Sequence, residues 1–334
     1  VSDLREWLAC AEEPRPWVVE TSGSSGRPKR VVLSRAAVLA SVAATEARLG
    51  GSGRWVLRLP ESYVAGLNVL TRSLVAGHEP VLAGEPWPAG EGWFTSLVPT
   101  QLVRMLDDES AGAPGSDASA LRRAHTVLLG GGPVDPTLRE RATAAGITVV
   151  ATYGSAETSG GCVYDGVPLD GVEVATDADG RLRIRGPMLF DGYEGDPDLT
   201  ARTLVDGWFL TADAGEVRPD GSLGVLGRLD DVVVSGGVNV PGPAVAARLR
   251  AHPHVSAAEA IGVPDAEWGN RLVAFVVGSP GAETPDPETL RAWVTAAHPR
   301  AWAPRQVIAV REIPLLANGK PDRLRLQDLA RADG

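Results

Sequence analysis

Residues Glu20 to Ser34 read E-T-S-G-S-S-G-R-P-K-R-V-V-L-S, and they set the first constraint on the fold. An apolar Trp17-Val18-Val19 run precedes this stretch and Val31-Val32-Leu33 lies at its far end, so the pattern predicts two strands joined by a flexible turn. Gly23 and Gly26 let a backbone approach an anion closely, and the hydroxyls of Thr21, Ser22, Ser24 and Ser25 add donors beside the main-chain N–H groups. Such a loop can wrap a phosphate. It is not the G-x-x-x-x-G-K-[ST] loop, because Arg27 and Pro28 stand between Gly26 and Lys29. A Ser/Gly hairpin or linker would read the same way, so the rest of the chain has to decide.

Downstream, strand and helix patterns alternate. Ser2 to Ala11 predicts a short helix, and Arg35 to Leu49 an alanine-rich amphipathic one with Ser34 as its N-cap. Trp55–Leu59, Trp93–Val98 and Thr126–Leu129 read as strands, separated by helical patterns over Leu67–Ala76, Gln101–Asp107 and Pro136–Ala145. This alternation predicts βαβ units with buried, mainly parallel strands, and ligands gather at the carboxyl ends of such strands. Gly130-Gly131-Gly132-Pro133 and Tyr153-Gly154-Ser155-Ala156-Glu157 both fall there. From Gly171 short strands and Asp-Gly turns predict a β-rich subdomain, and beyond Arg228 a smaller unit of helices and strands follows. The expectation is a mixed α/β chain: a large domain over 1–228 with βαβ layers and the β-rich part, and a small α+β domain over 229–334.

Composition narrows the function. A net charge of −10 with no basic patch argues against nucleic acid. The two cysteines, Cys10 and Cys162, stand far apart without metal-ligand neighbours, which suggests neither a disulfide framework nor a zinc site. No run of about eighteen apolar residues occurs and the first residues carry no signal-peptide pattern, so a cytoplasmic protein without a membrane partner is expected.

Five further segments join the glycine loop: G-G-G-P-V at Gly130–Val134, Y-G-S-A-E-T at Tyr153–Thr158, G-W-F-L-T-A-D at Gly207–Asp213, G-R-L-D-D-V-V-V-S-G-G-V-N-V at Gly227–Val240 and N-G-K-P-D-R at Asn318–Arg323. In this order they resemble the adenylate-forming superfamily of acyl-CoA synthetases, luciferases and peptide-synthetase adenylation domains. L-P-x-x-Y-V-A-G-L at Leu59–Leu67, with the text around Tyr153 and the short length, is most similar to the o-succinylbenzoate:CoA ligases of menaquinone biosynthesis; the alternative reading is an aryl or fatty acyl-CoA ligase of other specificity, or an adenylation domain loading a carrier protein.

The resemblance implies ATP and CoA as co-substrates, Mg2+, and a carboxylic acid activated as its adenylate. Two anions, the carboxylate and the α-phosphate, must meet, so positive charge is needed between them; Lys320 matches the lysine that supplies it. Glu157 matches the magnesium-coordinating acid, a hard oxygen ligand. Thr21, Ser22, Gly23, Ser24, Ser25, Gly26 and Lys29 match the phosphate loop. Gly131, Gly132, Tyr153 and Gly154 line the nucleotide, with Tyr153 on adenine, and Asp213 takes the ribose hydroxyls beside Arg228. Tyr63 and Arg72 fall where the acid is held; from the sequence alone, Arg72 reads equally as a solvated helix residue. Asp230 matches the hinge about which a mobile small domain turns, and Gly236-Gly237 would face the pantetheine arm of CoA. Two departures stand out: Ala156 occupies a usual threonine position, and twenty residues precede Thr21 where the superfamily carries a long region. The expectation is a large domain shortened at its N-terminus, for which a shorter core or a homodimer compensates.

Overall fold

The computed structural model describes residues 1–21, 29–110, 117–229, 232–265, 267–315 and 321–332. These residues fall into two compact units, Val1–Ala175 with Arg183–Thr211 and Val217–Leu223, and Thr176–Leu182 with Ala212–Glu216 and Gly224–Gly334.

The first unit opens with α1 (Ser2–Ala9), β1 (Trp17–Glu20), β2 (Arg30–Leu33) and α2 (Arg35–Leu49). The expected cap is present: Ser34 accepts a hydrogen bond from the Ala37 N–H at 3.3 Å, and Gly50, left-handed at φ 73°, ends the helix. There follow β3 (Trp55–Val56), α3 (Val64–Val75), β4 (Trp93–Leu97), α4 (Pro99–Ser110), α5 (Asp117–Leu121), β5 (Ala124–Leu129), α6 (Pro136–Ala144), β6 (Val149–Ser155), β7 (Gly160–Tyr164) and β8 (Val167–Pro168). Strands β3 to β8 form one six-stranded sheet in sequence order, parallel from β3 through β6 and antiparallel thereafter. Parallel neighbours need a crossover, and α4 and α6 provide it. Their apolar stripes, with Leu102, Leu106, Leu138 and Ala142, pack on Val56, Leu97, Val127 and Leu129 of the sheet.

The β-rich stretch is a five-stranded sheet of β9 (Glu173–Thr176), β10 (Arg181–Arg185), β12 (Leu204–Val205), β13 (Trp208–Val217) and β14 (Leu223–Arg228), with β11 (Gly192–Tyr193) and α7 (Pro197–Thr203) between β10 and β12 in the chain. Strand β11 leaves that sheet and pairs antiparallel with β2, placing Tyr193 opposite Val31, so that β1, β2 and β11 make a separate three-stranded sheet.

The second unit carries β15 (Val232–Ser235), β16 (Val238–Pro241), α8 (Gly242–Arg250), β17 (Val255–Asp265), β18 (Gly269–Gly278), α9 (Pro287–Thr295), β19 (Gln306–Ala309) and α10 (Arg323–Ala332). Strand β18 shows why this sheet is covered on both faces. Leu272, Ala274 and Val276 enter the cluster with Leu249 of α8 and Leu290 of α9, whereas Val273 and Phe275 enter the one with Leu326 of α10. Successive side chains point to opposite faces, so an unbroken apolar run is what a strand between two helical layers requires.

Candidate active site

In the first unit Thr21 and Lys29, on either side of the glycine-rich segment, form a reciprocal pair. The Thr21 N–H donates to the Lys29 carbonyl at 2.9 Å, and the Lys29 N–H to Thr21 Oγ1 at 3.3 Å. Ser22, Gly23, Ser24, Ser25 and Gly26 lie outside the described residues. Beyond Thr21, the Lys29 ammonium stands 5.3 Å from the centre of the Tyr193 ring. The Tyr193 hydroxyl in turn donates to Glu157 Oε1 at 2.8 Å. Glu157 is buried, not the surface glutamate a turn position would allow. Burial, and next the Glu157 carboxylate, push the Tyr193 phenol well above its ordinary pKa, so it remains a protonated donor.

The turn that carries Glu157 is built tightly. Gly154 sits where a Cβ would meet the Gly160 carbonyl oxygen at 2.1 Å, so no other residue fits. Thr158 is wholly buried, and its hydroxyl is engaged with the Ser155 N–H at 2.9 Å and the Gly160 carbonyl at 2.7 Å. It is therefore not available to replace the hydroxyl missing at Ala156. Tyr153, half-buried, pairs with Val163 across β6 and β7. Gly131 and Gly132 are exposed just past the end of β5, Gly131 at φ 77°.

A solvated Arg72, one of the two readings its place in the sequence allows, would need a face of helix α3 open to water. Instead every residue from Gly66 to Ser73 is buried, Arg72 to 3% exposure, and Val75 is 43% exposed. The reason is that α3 is covered on several sides: Arg72 Nη2 donates to Thr45 Oγ1 of α2 at 3.1 Å and to the Tyr164 hydroxyl of β7 at 3.3 Å, and its guanidinium lies 5.0 Å from the centre of the Trp55 ring of β3. Proton counting orders this cluster. Thr45 spends its one hydrogen on the Ser41 carbonyl at 2.9 Å, so in the 3.0 Å contact between the hydroxyls Tyr164 donates and Thr45 accepts. Arg72 finds no carboxylate within ion-pair reach among the described residues, and its buried Nε has no partner. One turn earlier, Asn68 Nδ2 donates to the Ser159 carbonyl at 2.7 Å, tying α3 to the Glu157 turn. Tyr63, before α3, is 44% exposed.

In the second unit Asp213 and Arg228 face each other at 3.7 Å. Gly236 and Gly237 make the β15–β16 turn at φ 59° and 78°, and a Cβ on Gly236 would meet the Trp268 ring at 2.6 Å. Asp230 and Lys320 lie outside the described residues.

Sequence reasoning missed Thr45, Asn68, Tyr164 and Tyr193. A signal for two of them was present: the chain has four tyrosines, Tyr63, Tyr153, Tyr164 and Tyr193, and the other two had already been assigned to the acid and the nucleotide.

Among the described residues no group of three His, Cys, Asp or Glu side chains could hold a metal by itself. Glu157 nevertheless fits magnesium, which is commonly bound by one or two carboxylates together with substrate phosphates and waters. No described helix is long and apolar enough to cross a membrane.

A buried acid linked through Tyr193 to the lysine that follows the glycine-rich segment, in a chain with a mostly parallel sheet and then a small α+β unit, agrees with what the comparisons find: the chain matches the AMP-binding enzyme family over residues 18–194 and the AMP-binding enzyme C-terminal domain over 244–320, and it belongs to that family. It is 43% identical over 326 residues to the probable 2-succinylbenzoate–CoA ligase of Mycobacterium tuberculosis (strain CDC 1551 / Oshkosh), covering 92% of this chain and 83% of that one. Among solved structures, it is similar to the amide bond synthetase McbA from Marinactinospora thermotolerans (TM-score 0.76, 31% identity, covering 93% of this chain and 69% of that one). It is also similar to the o-succinylbenzoate CoA synthetase (MenE) from Bacillus subtilis in complex with the acyl-adenylate intermediate OSB-AMP (TM-score 0.75, 25% identity, covering 95% and 70%).

Proposed function

We propose that the chain is an ATP-dependent acid:CoA ligase acting through an acyl-adenylate, with o-succinylbenzoate as its acid, in cytoplasmic menaquinone biosynthesis. The observation that carries the reading is the 43% identity, over 92% of the chain, to a probable 2-succinylbenzoate–CoA ligase. In the first half-reaction the acid's carboxylate attacks the α-phosphate of ATP and pyrophosphate leaves. In the second the CoA thiol attacks the mixed anhydride and AMP leaves.

The site residues take the following roles. The segment Thr21–Gly26 and Lys29 hold the triphosphate, whose charge a loop of N–H groups and an ammonium can match. Tyr153 stacks on adenine, Gly131, Gly132 and Gly154 let it lie close to the backbone, and Asp213 accepts from both ribose hydroxyls beside Arg228. Glu157 would hold Mg2+, which when bound neutralises charge on the phosphate oxygens. Lys320 stabilises the charge that builds up as carboxylate and phosphate meet, and Asp230 is the hinge between a large domain over 1–228 and a small one over 229–334. Gly236 and Gly237 face the pantetheine arm. Tyr63 lines the acid pocket, and Arg72 holds the ring carboxylate of o-succinylbenzoate, directly or through a water; a buried guanidinium without an acidic partner supports that reading.

A second reading is supported by the 31% identity to an amide bond synthetase: the same adenylate, consumed by an amine instead of CoA. A panel of aromatic, aliphatic and dicarboxylic acids, scored by AMP release with CoA or with amines as acceptor, separates the two. Preference for o-succinylbenzoate with CoA is expected; preference for another acid, or for an amine, would contradict the proposal.

A further inference from the structure

Glu157 is a buried carboxylate held in an unusual way. No Lys, Arg or His side chain among the described residues lies within ion-pair distance of it, and the one hydrogen bond to the carboxylate among them is the Tyr193 phenol at 2.8 Å on Oε1. The segment that delivers the phenol also grips the backbone of the same residue, because the Phe190 N–H donates to the Glu157 carbonyl at 3.0 Å. Tyr193 itself is fixed: it pairs with Val31 in the β2–β11 ladder, its N–H donates to Thr200 Oγ1 at 2.8 Å, and the Phe190 ring packs edge-on at 5.0 Å. Since β2 begins one residue after Lys29, the ladder that places the phenol also sets the Lys29 ammonium over the ring.

We propose that Tyr193 is a positioning residue for the adenylation half-reaction: its phenol occupies Oε1 of Glu157 and fixes the carboxylate so that Oε2 faces the divalent cation on the nucleotide. The inference rests on the reading of Glu157 given above. A carboxylate with one bonded oxygen and no cationic neighbour would otherwise rotate about its last torsion. Hydrogen bonds to ligating carboxylates commonly matter to metal affinity by about 10-fold to 100-fold.

The test is nucleotide binding by titration calorimetry, in excess magnesium and in EDTA, for the native chain, Tyr193→Phe, Glu157→Gln and the double variant. For Tyr193→Phe the expected result is a loss of about 10-fold or more in magnesium and less than about twofold in EDTA. In the Glu157→Gln background, adding Tyr193→Phe should change nothing further. The double variant lacks the buried charge that the single one leaves unpaired, so it keeps the test open if Tyr193→Phe alone does not fold. Equal losses with and without magnesium, or a further loss in the double variant, would make Tyr193 a structural residue and overturn the inference. Native nucleotide binding that ignores magnesium would overturn the reading of Glu157 and the inference with it; magnesium-dependent binding that Tyr193→Phe retains would overturn the inference alone.

Discussion

Replacing Arg72 by methionine should separate binding from stability in an unusual direction. A buried arginine is ordinarily a stabilising partner of an acid, and its loss strands that acid at a cost of about 3–5 kcal/mol. Arg72 has no such partner among the described residues. Its hydrogen bonds, 3.1 and 3.3 Å long, end on neutral hydroxyls that already have other partners, so deleting the donor orphans no hydrogen. What is lost is up to about 1.5–3 kcal/mol for each hydrogen bond, whose donor is charged, and about 0.5–2 kcal/mol for the contact with the Trp55 ring. What is relieved is the cost of keeping a charge buried without a counter-ion, several kcal/mol. Methionine fills most of the volume, so the net change in unfolding free energy should be within about 1 kcal/mol of zero. Binding of the acid should suffer instead: a charge-assisted bond to a carboxylate is worth about 1.5–3 kcal/mol, which is roughly a 10-fold to 150-fold rise in KM for o-succinylbenzoate. Urea unfolding gives the first quantity and steady-state kinetics the second, with KM for ATP as the control. A stability loss of about 3 kcal/mol or more with an unchanged KM for the acid would instead make Arg72 a tie between α2, α3 and β7.

Two further outcomes follow from the site and the core. In the role proposed for it Lys320 supplies charge only where carboxylate meets phosphate, so Lys320→Ala should abolish adenylate formation while largely sparing thioester formation from supplied acyl-adenylate; equal loss in both half-reactions would contradict that role. Cys162 is buried and its thiol is pushed up to about 12 by burial, whereas Cys10 is exposed, so a thiol reagent near neutral pH should label Cys10 alone in the native chain and both after denaturation; native labelling of Cys162 would contradict its packing.

The local elements were legible because their signals are local. Helix α2 begins and ends at the residues its Ser34 cap and Gly50 stop dictate, and the apolar runs on either side of the glycine loop became the paired strands β1 and β2. The parallel order of β3 to β6 followed from alternation, since each helix between strands forces a crossover. The sequence left Arg72 of helix α3 undecided because a helical pattern does not say whether the second face meets water; here polar side chains on the remaining faces meet α2, β3 and β7 and are buried with their partners. Tyr193 was invisible for a related reason: its partner lies 36 residues earlier in the chain, and nothing in the spacing between them marks a contact that arises only when β11 leaves its neighbours to join β2.

In the proposed reaction one chain makes an adenylate and then passes its acyl group to CoA. The most direct measurement is pyrophosphate release from o-succinylbenzoate, ATP and magnesium, first without CoA and then with it. Without CoA the expected result is a burst stoichiometric with enzyme as the adenylate stays bound, and with CoA continuous turnover with AMP and o-succinylbenzoyl-CoA formed in equal amounts. Pyrophosphate release that does not depend on the acid, or a burst that CoA fails to convert into turnover, would contradict it.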